Sequence, residues 1–223
     1  AGIHLCDVRD PDQGIVHVVS PELGIVLPGT TIVCPDSHTC TQGAIGAFAW
    51  GIGSTEAEHA LATGCLRMNK PKTMRVRFEG KLAAGVTAKD LSLVMISRFG
   101  SVGGNGYAVE YAGSAAEALD IETTRSLPLG LDDIEARLTL CNMATEFSAV
   151  TGFVAPDDKT FAYLQGRRFV PQASDWDRAV ESWRQLRSDD GAVFDVEHVI
   201  DVSDLAPMIT WGTSPQHAVQ VKD

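Results

Sequence analysis

The stretch VCPDSHTCTQGAIGAFAWGIGST, residues 33–55, places an aspartate, a serine and a histidine side by side in otherwise apolar sequence. Cysteines flank the three polar residues, and the glycines that follow allow backbones to approach closely and to adopt positive φ. Burying polar groups is costly unless each is bonded to something. The stretch therefore indicates a metal site, a nucleophile with its base, or one wall of a substrate pocket.

Segments with strand and helix patterns alternate along the chain on both sides of this stretch. Strands are predicted for GIVHVV (14–19), TIVC (31–34), MRVRFEG (74–80), YAVEYAG (107–113), FVAPD (153–157) and FDVEHVIDVSD (194–204). Helices are predicted for TAKDLSLVMISRFG (87–100), RLTLCNMATEFSAVTG (137–152), DKTFAYLQG (158–166) and DWDRAVESWRQLR (175–187). The alternation predicts a layered α/β fold with a mostly parallel or mixed sheet.

The bulk composition is that of a globular protein of 223 residues, with 44% hydrophobic and 21% charged residues. A net charge of −11 argues against nucleic-acid binding, which needs a basic face to displace counterions. No apolar run approaches the roughly 20 residues of a membrane-spanning helix. The first ten residues also lack the pattern of a secretory signal, so we expect no membrane association and a cytoplasmic location.

The five cysteines do not form a metal-binding pattern. They stand at positions 6, 34, 40, 65 and 141, and no CxxC pair occurs. The spacing of Cys34 and Cys40 fits neither a zinc knuckle nor the usual iron–sulfur motifs. We therefore expect the cysteines to be buried thiols.

A nucleophile with its base is the second interpretation of the polar stretch. Adjacent residues of an extended segment point to opposite sides, so Ser37 and His38 are not expected to meet. The chain also lacks the GxSxG elbow of many serine hydrolases. The pattern does not favour a hydrolase.

A pocket wall is the third interpretation. Asp36 and His38 share a side of an extended segment, and Asp36 could orient His17 of the preceding predicted strand. Asn142 and Glu146 are four residues apart, so they share one face of an apolar predicted helix. Residue types alone leave open whether Glu146 is paired structurally or lies near a substrate.

Several long motifs together resemble the aconitase superfamily of hydro-lyases. They are QGIVHVV (13–19), CPDSHTCTQGAIGAFAWGIGSTEAEHALAT (34–63), KLAAGVTAKDLSL (81–93), VGGNGYAVEYAG (102–113), LTLCNMATE (138–146) and VAPDDKTFAYLQGR (154–167). The resemblance implies aconitase-like layered α/β domains, incomplete in this chain. It also implies dehydration and rehydration of a hydroxy dicarboxylate.

The resemblance implies catalytic roles for two imidazoles and two carboxylates, namely His17, His38, Asp36 and Glu146. His38 and Glu146 would help to protonate the leaving hydroxyl, and Asp36 with His17 would line the site. Ser37 and Asn142 would contact the substrate. The polar stretch would then be one wall of a substrate cavity.

The resemblance also implies a [4Fe–4S] cluster in the complete enzyme and a small subunit that supplies the catalytic base. The family's three cluster cysteines lie in a GSCTN segment and a later CxxC, and this sequence contains neither. We therefore expect no metal ligands and no bound cluster in this chain alone. We also expect it to be inactive alone, as the central portion of a longer large subunit.

Three domain regions are expected from the resemblance. Residues 1–71 would be the C-terminal part of a first α/β domain, residues 72–205 a second, and residues 206–223 a linker or the start of a third. Residues 123–137 look like an insertion relative to the family, with LDIE (119–122) echoed by LDDIE (131–135). The insertion is predicted to form a loop because it contains Pro128 and Gly130.

Overall fold

A computed structural model describes residues 5–119 and 133–222 of the chain. Its main sheet has four parallel strands in the order β5-β4-β3-β6. The strands are β3 (Lys72–Glu79), β4 (Tyr107–Ala112), β5 (Thr151–Val154) and β6 (Val196–Asp201). Helices connect the strands, so the prediction of an α/β fold with a parallel sheet is confirmed.

Strand β3 shows why this sheet forms. Its alternating side chains Met74, Val76 and Phe78 are buried on one face, where they join the main hydrophobic core. Helix α3 (Ala88–Phe99) packs into the same core and starts where predicted. Its N-terminus is capped by the carboxylate of Asp90, which accepts hydrogen bonds from the N–H and the hydroxyl of Thr87.

The N-terminal part combines helix α1 (Val16–Leu23) with the parallel strands β1 (Thr31–Cys34) and β2 (Phe48–Gly51). The prediction of a strand over residues 14–19 is wrong. Burial recurs at positions 17, 20 and 21, which is helical spacing, and Gly24 ends the helix with φ of 73°. The β-branched residues that favoured a strand therefore lie in a helix whose burial pattern overrides their propensity.

The segment that carries Glu146 also differs from the prediction of one long helix ending at Gly152. Helix α5 (Asp133–Asn142) ends early, turns follow, and Gly152 lies in β5. An added Cβ at Gly152 would lie 2.7 Å from Tyr111 Cε2, and one at Gly43 would lie 1.9 Å from the Gly152 carbonyl oxygen. Gly43 therefore allows the polar stretch to pack directly on the backbone of β5, and Gly152 leaves room for Tyr111 and Ala144.

The remaining helices are α2 (Ser54–Thr63), α4 (Ser114–Glu117), α6 (Asp158–Leu164) and α7 (Ser174–Trp183), with 3₁₀ turns at Arg184–Leu186 and Pro215–His217. The C-terminal stretch, for which no element was predicted, forms an antiparallel pair of β7 (Met208–Ile209) and β8 (Val219–Gln220). No helix in the described ranges is long and apolar enough to span a membrane.

In the described residues the main hydrophobic core combines the four-stranded sheet with Cys40 and Ala44, which lie before the predicted domain limit at residue 71. The limits at residues 71 and 205 stay a prediction. Most of the predicted insertion, residues 123–137, lies outside the described residues.

Candidate active site

Residues Ser37–Ile45 of the polar stretch form 3₁₀ turns with a kink at His38 (φ −92°, ψ 16°), rather than the extended segment expected. Asp36 caps these turns, and its Oδ1 accepts a hydrogen bond from the His38 N–H at 2.8 Å. Because the backbone turns at Ser37, its Oγ lies 3.1 Å from His38 Nδ1. The prediction that Ser37 and His38 would not meet is therefore wrong.

His17 and Asp36 form one carboxylate–imidazole pair, with 3.0 Å between His17 Nε2 and Asp36 Oδ1. His17 comes from α1, which Gln42 anchors by donating from Nε2 to the Val16 carbonyl oxygen. The His38 N–H, followed by the hydrogen bond from His17, holds the pKa of Asp36 below its ordinary value. Asp36 is therefore a fixed anion that orients His17.

His38 and Glu146 form a second pair, with 3.0 Å between His38 Nε2 and Glu146 Oε1 across 108 sequence positions. The two side chains are about one-third exposed, at 34% and 33%. Glu146 Oε2 is shielded from solvent and has no hydrogen-bond partner in the described part of the chain. The other carboxylate oxygen, Oε1, is the one that contacts His38.

Asn142 lies beside the second pair, at the end of α5, and donates from Nδ2 to Thr41 Oγ1 at 2.9 Å. Thr41 in turn donates to the carbonyl oxygen of His38. All six predicted site residues thus belong to one connected cluster. The predicted helical face shared by Asn142 and Glu146 does not exist, but both residues still reach the polar stretch.

Three residues of this cluster were not predicted as site residues: Cys40, Thr41 and Thr145. Thr145 Oγ1 donates to the Ser37 carbonyl oxygen, and Cys40 Sγ lies 3.2 Å from Thr145 Oγ1. Their position inside the quoted motifs was the available signal, because the contacts that join them to the opposite segment span more than a hundred residues.

The cysteines agree only in part with the expectation of buried thiols. Cys40 and Cys141 are buried, whereas Cys6 and Cys34 are partly exposed and Cys65 is exposed. Among residues 5–119 and 133–222, no three His, Cys, Asp or Glu side chains come together as a metal site. The described residues therefore do not fit as ligands of an iron–sulfur cluster, and we derive no chemical step through one.

Two cavities, of about 580 and 620 Å³, lie away from this cluster. The first covers the polar face of the main sheet and includes Arg75 and Glu110, and the second lies beside Leu27 and Ala179. Neither is lined by any of the six predicted site residues. The cluster therefore lies outside both cavities, with Ser37 exposed at its edge.

Substitutions of Ser148 test how the turn that carries Glu146 is stabilised. It adopts φ of 62°, a left-handed conformation, and donates from Oγ to the Ser101 carbonyl oxygen. Ser148→Gly and Ser148→Ala both remove the hydroxyl, but only glycine avoids the Cβ strain. In urea unfolding of the full chain we expect the glycine variant to be the more stable of the two, by about 1 kcal/mol.

The same pair of substitutions at Ser182, an exposed position on α7, is the control. There we expect the usual helical order, with alanine more stable than glycine. An advantage of alanine at position 148 as well would contradict the left-handed turn.

Comparisons with known proteins identify relatives along the whole chain. The sequence model of the Aconitase family (aconitate hydratase) matches residues 2–223. A curated relative from Bradyrhizobium diazoefficiens, "3-isopropylmalate dehydratase large subunit 1", is 54% identical over 221 residues. The match covers 99% of this chain and 44% of the relative, so the chain spans less than half the length of that protein.

Proposed function

This chain belongs to the aconitase family, and from this membership we propose that it is the central portion of a hydro-lyase large subunit of the 3-isopropylmalate dehydratase type. The complete enzyme would interconvert 2-isopropylmalate and 3-isopropylmalate by dehydration and rehydration, a step of leucine biosynthesis. The observation that carries the proposal is the pairing of His38 with Glu146 beside the Asp36–His17 pair. The 54% sequence identity to a protein named "3-isopropylmalate dehydratase large subunit 1" supports the substrate assignment.

The two carboxylate–imidazole pairs would have different tasks. Asp36 accepts hydrogen bonds from His17 and from the His38 backbone, which favour its ionised form, so it holds position. Glu146 has one oxygen on His38 and the other without a partner in the described ranges, so this pair can hold a proton and deliver it. We assign to His38 and Glu146 the protonation of the departing hydroxyl.

Substrate contacts would come from the edge of the cluster. Ser37 is exposed, and its Oγ lies 3.1 Å from His38 Nδ1. When the imidazole carries both protons, Nδ1–H donates to Ser37 Oγ and leaves the hydroxyl hydrogen free for a substrate carboxylate. Asn142 has committed its Nδ2 to Thr41, which fixes the amide plane. Its Oδ1 would then face a donor group of the substrate.

The complete enzyme would also contain parts that this chain does not supply. We propose that its [4Fe–4S] cluster is held by cysteines in the portion of the large subunit that the relative has beyond the match. The name of the relative, a large subunit, supports a small subunit as the partner. The domain limits at residues 71 and 205 and a cytoplasmic location are part of the same proposal.

The test uses the full-length gene product containing these residues, loaded with iron and sulfide and combined with its small subunit. It is assayed with 2-isopropylmalate, homocitrate, 2-methylmalate and dimethylmaleate, and we expect turnover of 2-isopropylmalate to be the fastest. Faster turnover of another acid would replace the substrate assignment by another hydro-lyase of the family. Binding of the small subunit without any turnover would instead make the chain a scaffold.

One observation favours a second candidate, an acyl hydrolase. Ser37, His38 and Glu146 form a hydrogen-bonded row, as the nucleophile, base and acid of a catalytic triad do. In that case a fluorophosphonate should label Ser37 covalently. We expect no labelling, because Ser37 contacts Nδ1 of its own neighbour and Asp36 Oδ1 also lies 3.9 Å from that nitrogen.

A further inference from the structure

We propose that Thr145, with the thiol of Cys40, is a positioning residue that holds Glu146 in register with His38. The catalytic importance of the His38–Glu146 pair rests on the proposed function, whereas the positioning itself rests on the contacts of Thr145 and Cys40. Thr145 precedes Glu146, and its hydroxyl donates at 2.7 Å to the carbonyl oxygen of Ser37, which precedes His38. This hydrogen bond therefore joins the two segments at the residues that directly precede Glu146 and His38.

The turn that carries Glu146 needs such a connection because it is not part of a helix. Helix α5 ends at Asn142, and turns cover the positions that follow. The backbone bond that leads into this turn is long, with 3.4 Å between Thr145 N and the Asn142 oxygen, whereas the bond that leaves it, from Ser148 N to the Thr145 oxygen, is 2.9 Å. On the side that leads to Glu146 the backbone is therefore held weakly, whereas the Thr145 side chain makes a bond of 2.7 Å.

Cys40 completes the connection from the other side. Its Sγ lies 3.2 Å from Thr145 Oγ1 and 3.6 Å from the Asn142 carbonyl oxygen. Because Thr145 spends its only hydroxyl hydrogen on Ser37, any hydrogen bond in this contact comes from the thiol, whose one hydrogen is shared between Thr145 Oγ1 and the Asn142 carbonyl oxygen. Burial raises the pKa of the Cys40 thiol, which keeps it protonated and able to donate.

Two substitutions of Thr145 distinguish a positioning role of its hydroxyl from simple packing of its side chain. Thr145→Val keeps the shape and deletes the hydroxyl, whereas Thr145→Ser keeps the hydroxyl and deletes a methyl group. The matched control is Thr151→Val, because Thr151 is fully buried, lies in the adjacent strand β5, and has a hydroxyl without a partner in the described part of the chain. The same chemical change is thus made nearby, without breaking a hydrogen bond.

The first readout does not depend on turnover. In the full chain labelled with ¹⁵N-histidine, the Nε2 resonance of His38 reports its hydrogen bond to Glu146, and Glu146→Gln marks the spectrum of the altered pair. We expect Thr145→Val to move that resonance towards the Glu146→Gln position. Thr145→Ser and Thr151→Val should leave it at the wild-type position.

A His38 resonance unchanged by Thr145→Val, or moved as far by Thr151→Val, would overturn the proposal. If Thr145→Val does not fold, Cys40→Ala and Cys40→Ser make the same test from the other side. We then expect Cys40→Ala to shift the His38 resonance towards the Glu146→Gln position, by less than is expected of Thr145→Val. Cys40→Ser restores the donor and should leave the resonance at the wild-type position. Equal shifts for both would count against the connection.

The second readout is kinetic, in the reconstituted complex with its small subunit and cluster. We expect Thr145→Val to lower kcat about tenfold with KM within about twofold, because a misplaced proton donor affects the transition state more than ground-state binding. Thr145→Ser should restore kcat. If the complex shows no dehydratase activity, the proposed function fails, while the His38 resonance still decides the positioning role.

Discussion

Replacing Glu146 with glutamine is expected to lower the kcat of the proposed dehydratase complex by about 10²- to 10⁴-fold, the range that general acid–base catalysis contributes. The amide keeps the size of the side chain and can still contact His38 Nε2 at the observed 3.0 Å. It cannot hold and release a proton at physiological pH. KM should change little, because Glu146 is assigned to the leaving hydroxyl rather than to substrate binding. Steady-state assays with 2-isopropylmalate measure both constants.

The matched control is Glu181→Gln on the exposed surface of α7, which should leave kcat within about twofold of wild type. Retention of more than a tenth of the wild-type kcat by Glu146→Gln would remove Glu146 from the protonation step. The His38–Glu146 pair would then be a structural contact only.

Replacing Asp157 with alanine lowers the free energy of unfolding of the chain by about 3–5 kcal/mol, the cost of leaving a buried charge without its partner. Arg137 is fully buried, and its two terminal nitrogens donate to the two oxygens of Asp157 at 2.8 and 2.6 Å. Asp157 also caps α6 by accepting from the N–H groups of Lys159 and Thr160. Urea unfolding of the full chain measures the loss.

The neighbouring residue Asp158 is the control for Asp157. It pairs with Arg184 on the surface, so Asp158→Ala should cost about 1 kcal/mol or less. Equal stability of the two variants would show that the buried Arg137 does not depend on Asp157, whose side chain is 41% exposed, as its ion-pair partner.

The effect of Asp157 should also depend on pH. Burial alone would raise the pKa of Asp157, but the hydrogen bonds and charge of Arg137 outweigh burial and hold it below its ordinary value of 3.8. A lowered pKa in the folded state gives stability above the unfolded pKa that is lost as pH falls through the folded pKa. The difference between wild type and Asp157→Ala should therefore be full near neutral pH and shrink below about pH 4.

Most of the regular elements could be predicted from local patterns. The alternation in β3 and the capping pair of Thr87 and Asp90 in α3 are signals within a few residues of each other, and both elements form where expected. The N-terminal segment 14–19 was misassigned because its β-branched residues favour strands in isolation. Its helical form depends on which side chains the rest of the chain buries, and no local pattern carries that information.

In the candidate site, too, the residues could be predicted from the sequence but their geometry could not. The motifs that resemble the aconitase family singled out His17, Asp36, His38 and Glu146 as candidate site residues, and their catalytic roles stay a prediction. Their geometry could not be predicted, because one extra turn at Ser37 decides which neighbours meet. The roles of Thr145 and Cys40 were likewise invisible, since each acts through a partner in the other segment.

The amino-acid sequence by itself therefore determined the α/β class, most of the elements and the family, because these depend on local propensity, burial periodicity and motif identity. Only the tertiary structure decided that the polar stretch forms 3₁₀ turns packed on β5 through Gly43. It also decided that the Glu146 turn is joined to it by a threonine hydroxyl and a buried thiol. The physical reason is that hydrogen bonds and backbone contacts of this kind exist only when distant segments are packed within a few ångströms of each other.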